Sequence, residues 1–156
     1  QMDVTPGELA TTGVELYNAK GEKVKIYFDT KERKLVMDRT ESGLVEFGKR
    51  SVPHDIEKNY SDVHQGVGNT PFRVLNSINY KNDFALGTWA PLSLCKGTTY
   101  HVDIFVDKCS VEIFVDGGRI AMTNLVFPTA PYTSVKFYNN GASTSFRNIT
   151  LSELSL

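Results

Sequence analysis

Four carboxylates lie close together in one segment of the sequence, at Asp103, Asp107, Glu112 and Asp116. A pair of carboxylates can act as general acid and general base if the fold brings both within reach of one reacting bond. Here, however, Asp107 and Asp116 stand beside short polar or glycine-rich segments, and Asp103 alternates with apolar residues. Carboxylates in such positions are typical of turns and of solvated strand faces. The pattern therefore favours structural roles and predicts no catalytic residue here.

Glu112 differs from the other three because it stands between two branched apolar residues, in a segment that neighbouring layers could cover on both faces. A buried carboxylate needs a partner that satisfies its charge. Arg39 shares a predicted strand face with Leu35 and Met37, so we expect it to point toward the interior. We predict a charge-assisted pair between Arg39 and Glu112, with a structural role.

The sequence offers no spacing typical of other catalytic or cofactor chemistry. His54, His64 and His101 are scattered, without the cysteine or carboxylate spacing of a metal site. No Gly-x-Ser-x-Gly elbow occurs, and the Gly-Val-Gly of residues 66–68 lacks the rest of a dinucleotide fingerprint. We therefore predict neither a metal nor a cofactor.

Three aromatic residues, Tyr80, Phe84 and Trp89, follow one another closely, with Asn82 and Asp83 between the first two. Flat rings can stack on the C–H faces of sugars, and amide and carboxylate groups can bond sugar hydroxyls. This composition suits a carbohydrate site. The alternative is packing in the core or against a partner domain, because aromatic residues are enriched in both settings.

The elements that would position these residues are short strands. From 100 to 127, apolar and polar residues alternate with a period of two in three runs, separated by two short turns. Asp107 opens the first turn. The second turn contains Gly117 and Gly118, and glycine adopts the positive backbone angles that a tight hairpin needs. The stretch predicts an antiparallel meander of three strands.

Similar reasoning places candidate strands elsewhere, at 14–18, 24–29, 34–39, 72–80, 84–89, 134–138 and 145–154. Residues 1–13 contain proline and glycine and are predicted to be linker-like. Many short strands with frequent turn signals, and no convincing helical period, predict an all-β domain. We expect residues 1–156 to form a single two-sheet antiparallel β-sandwich, of the jelly-roll or concanavalin-like type.

Composition limits the partners of this domain. The chain has 156 residues and a formal net charge of −1. This charge argues against nucleic acid as a partner, since phosphate binding needs a basic surface. No apolar run approaches the ~20 residues of a membrane span, so we predict no membrane insertion.

The two cysteines lie before and after one predicted strand. Cys95 and Cys109 would be separated by roughly 30 Å if that strand has ten residues. A disulfide requires Cα atoms within about 7 Å. We predict no bond between them, and we expect each to be a small buried or half-buried side chain.

The segment HVDIFVDKCSVEIFVDGG at 101–118 resembles the signature of the C-terminal β-sandwich module of glycoside hydrolase family 32, the invertase, inulinase and levanase enzymes. In that family a strand ends in Asp-Arg-Ser-Ser and is followed by Val-Glu-Val-Phe, whereas this turn reads Asp-Lys-Cys-Ser at 107–110. A second stretch, 35–43, resembles the family's Asp-Arg…Ser-Gly strand and turn through Asp38 and Arg39. Residues from about 51 to 89 form an insertion relative to the family pattern.

The resemblance implies a supporting module for an N-terminal five-bladed propeller that carries catalysis in the same protein. The family's catalytic motifs are of the type Asn-Asp-Pro-Asn-Gly, Arg-Asp-Pro and Glu-Cys, and none of them occurs in this chain. We therefore expect a non-catalytic module of a fructan- or sucrose-hydrolysing enzyme. The family likeness further implies export to the periplasm or outside the cell. The alternative is a stand-alone carbohydrate-binding module that uses Trp89, Tyr80 and Phe84.

Overall fold

A computed structural model describes residues 1–45, 84–93 and 97–153. Regular structure within these ranges consists of strands: β1 Met2–Thr5, β2 Thr11–Tyr17, β3 Lys23–Asp29, β4 Lys34–Glu41, β5 Gly87–Pro91, β6 Tyr100–Val106, β7 Ser110–Val115, β8 Ile120–Leu125, β9 Ser134–Asn140 and β10 Ser145–Arg147. The described part of the chain includes no helical segment suited to spanning a bilayer. Predictions that concern residues 72–80, Tyr80, Cys95, His54, His64 and residues 66–68 lie outside the described residues.

The strands form two sheets, and every described pair of neighbouring strands is antiparallel. Sheet A has the order β10-β1-β6-β7-β8, and sheet B has the order β5-β4-β3-β2-β9. One core of buried side chains lies between them: Met2, Val4, Val14, Leu16, Val24, Ile26, Phe28, Leu35, Met37, Leu92, Tyr100, Val102, Val111, Ile113, Val115 and Val126. The predicted two-sheet antiparallel β-sandwich is confirmed.

The meander of sheet A has the predicted form. Strands β6, β7 and β8 pair in sequence, and the alternate residues of β7 at 111, 113 and 115 are fully buried. In the turn between β7 and β8, the φ angles of Asp116, Gly117 and Gly118 are 50°, 68° and 95°. Glycine reaches such angles without the clash that a Cβ atom causes. The two glycines therefore allow the chain to reverse within the four residues between Val115 and Ile120.

The alternation predicted for β4 is also found in sheet B. Leu35 and Met37 are fully buried, whereas Val36 and Asp38 lie on the opposite face and are partly exposed. Successive side chains of a strand point to opposite faces, so the residue type in each alternate position decides which face turns inward. We call the face of sheet B that points away from sheet A its outer face.

The prediction that residues 1–13 are linker-like is wrong for most of that segment. Met2 and Val4 are buried, and β1 pairs with both β6 and β10. The segment with Pro6 and Gly7 is only the crossing from sheet A to β2 in sheet B. A four-residue strand with two core residues gives too short an alternation to stand out in the sequence.

Three smaller predictions also need correction. The last strand ends at Arg147, not near residue 154, and Asn148 has a φ of 50° that takes the chain out of the sheet. Cys109 is free and exposed, not half-buried, because it lies in the β6–β7 turn. The strand predicted at 84–89 begins instead at Gly87, and the earlier part of the predicted 51–89 insertion, as far as residue 83, is outside the described residues.

A side-chain hydrogen bond joins β1 to β6 on the outside of sheet A. His101 Nδ1 lies 2.7 Å from Asp3 Oδ1, and Asn148 Nδ2 donates to Asp3 Oδ2 at 2.6 Å. The hydrogen bond with Asp3 holds the pKa of His101 above its ordinary value of 6.5. The hydrogen bonds from His101 and Asn148 hold the pKa of Asp3 below its ordinary value of 3.8.

These shifts predict a pH window for the stability of the chain. A raised pKa in the folded state makes the His101 contribution complete below pH 6.5 and removes it as pH rises through the folded pKa. A lowered pKa makes the Asp3 contribution complete above pH 3.8 and removes it as pH falls through the folded pKa. We expect the difference in thermal unfolding temperature between the wild type and His101→Gln to be largest between these two pH values. A difference that is constant from pH 3 to pH 9 would contradict this assignment.

Candidate functional site

Of the two described aromatic residues predicted to bind sugar, Trp89 is exposed and Phe84 is partly buried. The Trp89 side chain on the outer face of β5 is 57% exposed, and Lys34 Nζ lies 4.7 Å from the centre of its ring. Phe84 is partly buried, with its ring 5.5 Å from that of Phe127 and the Arg39 guanidinium 4.1 Å above it. Packing therefore occupies Phe84, and Tyr80 lies outside the described residues.

The predicted pair between Arg39 and Glu112 does not form. Arg39 Nη1 donates to the Leu125 carbonyl oxygen at 3.0 Å, and burial lowers the pKa of the guanidinium. Glu112 lies on the outside of sheet A, because its two neighbours in β7 fill the core. The prediction assumed that β7 is covered on both faces, whereas among the described residues only its inner face packs against another layer. Arg39 instead joins the end of β4 to the end of β8 and covers Phe84.

The predicted structural carboxylates make local hydrogen bonds. Asp38 Oδ1 accepts from the backbone nitrogen of Thr40 at 2.9 Å and from its hydroxyl at 2.7 Å. Asp107 Oδ1 accepts from the Lys108 nitrogen at 2.7 Å, and the Asp107 nitrogen donates to the Ser110 carbonyl at 2.9 Å. These bonds belong to strand ends and turns. The described residues also contain no group of three side chains able to hold a metal ion.

A row of outward-facing residues crosses the whole of sheet B, and we call it the aromatic strip. Trp89 lies opposite Val36, Val36 opposite Tyr27, Tyr27 opposite Gly13, and Gly13 opposite Tyr138. The five strands involved span four spacings of about 4.8 Å, which is about 19 Å. The rings of Tyr27 and Tyr138 are 6.4 Å apart, on the two sides of Gly13. The strip joins residues that are far apart in sequence.

A depression of about 390 Å³ lies beside the strip, lined by Thr11, Glu15, Lys25, Tyr27, Asp38, Lys136 and Tyr138. Four of its residues carry alternating charge across β4, β3, β2 and β9, because Asp38 lies opposite Lys25, Lys25 opposite Glu15, and Glu15 opposite Lys136. Burial raises the pKa of the Tyr27 and Tyr138 hydroxyls. A tyrosine hydroxyl is protonated at neutral pH, so both hydroxyls can donate hydrogen bonds.

Tyr27 and Tyr138 were not among the site residues predicted from the sequence. Each is an outward residue in an alternating strand, and an outward aromatic residue on a solvated face is a signal that sequence alone can provide. What it cannot provide is the register that places both beside Gly13, because that register depends on three separate strands. The depression could therefore be found only in the folded chain.

Both the sequence and the fold of this chain are similar to those of known proteins. The family model for "Glycosyl hydrolases family 32 C terminal" matches residues 1–153. A levanbiose-producing levanase of Bacillus subtilis (strain 168) is 30% identical over 95 residues, which cover 61% of this chain and 17% of the relative. A levanase of the same organism is 23% identical over 99% of this chain and 18% of the relative.

The solved structures agree on the fold. The exo-inulinase from Aspergillus awamori superposes with a TM-score of 0.58 and 19% identity, over 92% of this chain and 22% of that protein. The present chain thus spans less than a quarter of the length of each of these three proteins. With the family model matching nearly every residue, the chain belongs to the C-terminal domain family of the family 32 glycosyl hydrolases.

Proposed function

We propose that this chain is the non-catalytic C-terminal module of a fructan-hydrolysing enzyme and that it supports a catalytic domain of the same polypeptide. The observation that carries the proposal is the match of the family model to residues 1–153, combined with matched stretches that cover only 17% and 18% of the two levanases. The absence from the sequence of the family's three acidic motifs agrees with this role. The substrate of the whole enzyme would then be a fructan such as levan.

The same reasoning extends to the partner domain and the location. By family resemblance, the catalytic domain would be a five-bladed propeller on the N-terminal side of the module. The enzyme would work in the periplasm or outside the cell, where polymeric fructans are available.

An exposed apolar edge supports a domain contact. The apolar edge consists of Val135 and Phe137 of β9 and of Ile149 and Leu151 beyond β10. All four side chains are exposed. Strands β9 and β10 are the edges of their sheets on the same side of the sandwich, where the Phe137 ring lies 5.1 Å from that of Phe146. Exposed apolar side chains grouped in this way are typical of surfaces that another domain covers.

The entry point of a preceding domain is near this edge. The Gln1 amino group donates to the Thr150 carbonyl oxygen at 2.9 Å, and the Thr150 nitrogen donates to the Gln1 carbonyl at 2.9 Å. Thr150 lies between Ile149 and Leu151. A polypeptide segment that precedes Gln1 would therefore emerge beside the apolar edge. A catalytic domain joined there would need only a short linker to pack against the apolar edge.

The proposal predicts the effect of charge at this edge. In the parent enzyme, Phe137→Asp combined with Leu151→Asp should lower the midpoint of thermal inactivation by several °C, because 1 kcal/mol corresponds to about 2–4 °C in domains of this size. Phe105→Asp is the matched control, since Phe105 is similarly exposed, at 43%, but lies in β6 on the face of sheet A that points away from sheet B.

Fructose release provides the second arm of this test. The isolated 156-residue chain should release no fructose from levan, inulin or sucrose, while the parent enzyme does. Hydrolysis by the isolated chain would refute the non-catalytic role. Equal inactivation midpoints for the double variant, the control and the wild type would refute the docking of a catalytic domain at the apolar edge.

A further inference from the structure

We propose that the outer face of sheet B is a binding site for an uncharged oligosaccharide chain, which lies along the aromatic strip and over the adjoining depression. This site goes beyond the supporting role of the module. It rests on the proposed function only for the choice of levan as the first ligand to test.

Trp89 exposes its ring at the edge of sheet B. A tryptophan that keeps 57% of its surface exposed at the edge of a sheet leaves much apolar area in water. Lys34 covers one part of the ring, and no other ring contact is found for it in the described residues. A large flat side chain in this setting offers a stacking surface, and its ring is available without any rearrangement of the core.

The surface beside Trp89 is low, because the nearest outward position in β5 is Gly87, which has no side chain and is exposed. Gly87 lies opposite Asp38 of β4. Gly13, the outward position between Tyr27 and Tyr138, is buried and offers no such gap. A sugar ring stacked on Trp89 can therefore approach the sheet closely at Gly87.

The depression offers both donors and acceptors of hydrogen bonds. Lys25, Lys136 and the two tyrosine hydroxyls are donors, whereas Glu15 and Asp38 are acceptors. The two positive and two negative charges balance, so an anionic ligand such as a phosphate has no net attraction to this surface. A neutral ligand with many hydroxyl groups, each able to donate and to accept, matches this alternation best.

Binding of the full 156-residue chain to levan tests the site directly. In affinity electrophoresis and titration calorimetry, we expect the wild type to be retarded by levan, and soluble levan oligosaccharides to give a measurable Kd. Trp89→Ala and Tyr138→Ala should each weaken binding by about tenfold, as expected for a central aromatic contact. Phe105→Ala is the matched control because Phe105 is an exposed ring on the other sheet.

Each outcome bears on the proposal. Loss of affinity in both strip variants, with an unchanged unfolding midpoint and with Phe105→Ala equal to the wild type, supports it. Absence of binding by the wild type to levan, inulin and neutral glucans overturns it, and so does binding that neither strip variant changes. None of these results depends on the inactivation assay of the parent enzyme, so a failure here is distinct from a failure of the supporting role.

Discussion

Replacing Gly13 with alanine should lower the free energy of unfolding by about 3 kcal/mol or more, enough to unfold a marginally stable domain. A Cβ atom at this position would lie 2.0 Å from the Ile26 carbonyl oxygen and 2.6 Å from the Tyr27 Cα. Real Cβ atoms essentially never approach other atoms within 3.0 Å. Both obstructing atoms belong to the backbone of β3, which pairs with β2 and β4 in the middle of sheet B. They can move only if the sheet itself is distorted.

Urea unfolding followed by far-ultraviolet circular dichroism measures this effect. Gly117→Ala is the matched control, because Gly117 has a φ of 68° but nothing lies within 4 Å of an added Cβ. That variant should lose only the conformational cost of a left-handed residue, about 1 kcal/mol. If Gly13→Ala unfolds at the same urea concentration as Gly117→Ala, the close approach of β3 to β2 is not as described.

The sequence predicted the layers of this fold better than its ends. Alternation is strong where one face of a strand fills the core, as in β7 and in β4 with Leu35 and Met37, and there the inward residues were assigned correctly. It was weak in β1, which contributes only Met2 and Val4 to the core. The C-terminal prediction failed for a related reason, since residues beyond Arg147 continue the polar and apolar alternation although they have left the sheet.

Contacts between the two sheets could not be predicted from the alternation within single strands. A single sequence indicates which face of a strand is apolar, but not which strand lies above it. The predicted pair joined Glu112, as a buried carboxylate that needs a partner, to Arg39, because Arg39 shares a strand face with Leu35 and Met37. Arg39 in fact donates to a backbone carbonyl, and Glu112 faces outward. The aromatic strip depends on the register of five strands, so Trp89 could be singled out in the sequence whereas its neighbours on the sheet could not.

Removing the Tyr100 side chain should be the most damaging single truncation in the core. Tyr100 is fully buried in β6, its ring lies 5.2 Å from that of Phe28 in β3, and its hydroxyl donates to the Ser93 carbonyl at 3.1 Å. This stacked pair connects sheet A to sheet B. Tyr100→Ala leaves a cavity between the sheets and should lower the free energy of unfolding by about 3–5 kcal/mol, as aromatic truncations in cores do.

Tyr100→Phe separates the ring from the hydroxyl. This variant keeps the stacking with Phe28 and removes the hydrogen bond to the Ser93 carbonyl, so it should cost about 1 kcal/mol. Chemical denaturation of both variants, compared at the same pH and salt concentration, gives the two contributions. A much larger loss in Tyr100→Ala than in Tyr100→Phe would assign the cohesion of the two sheets to ring packing. Equal losses would assign it to the hydrogen bond and would contradict the stacked pair as the main link between the layers.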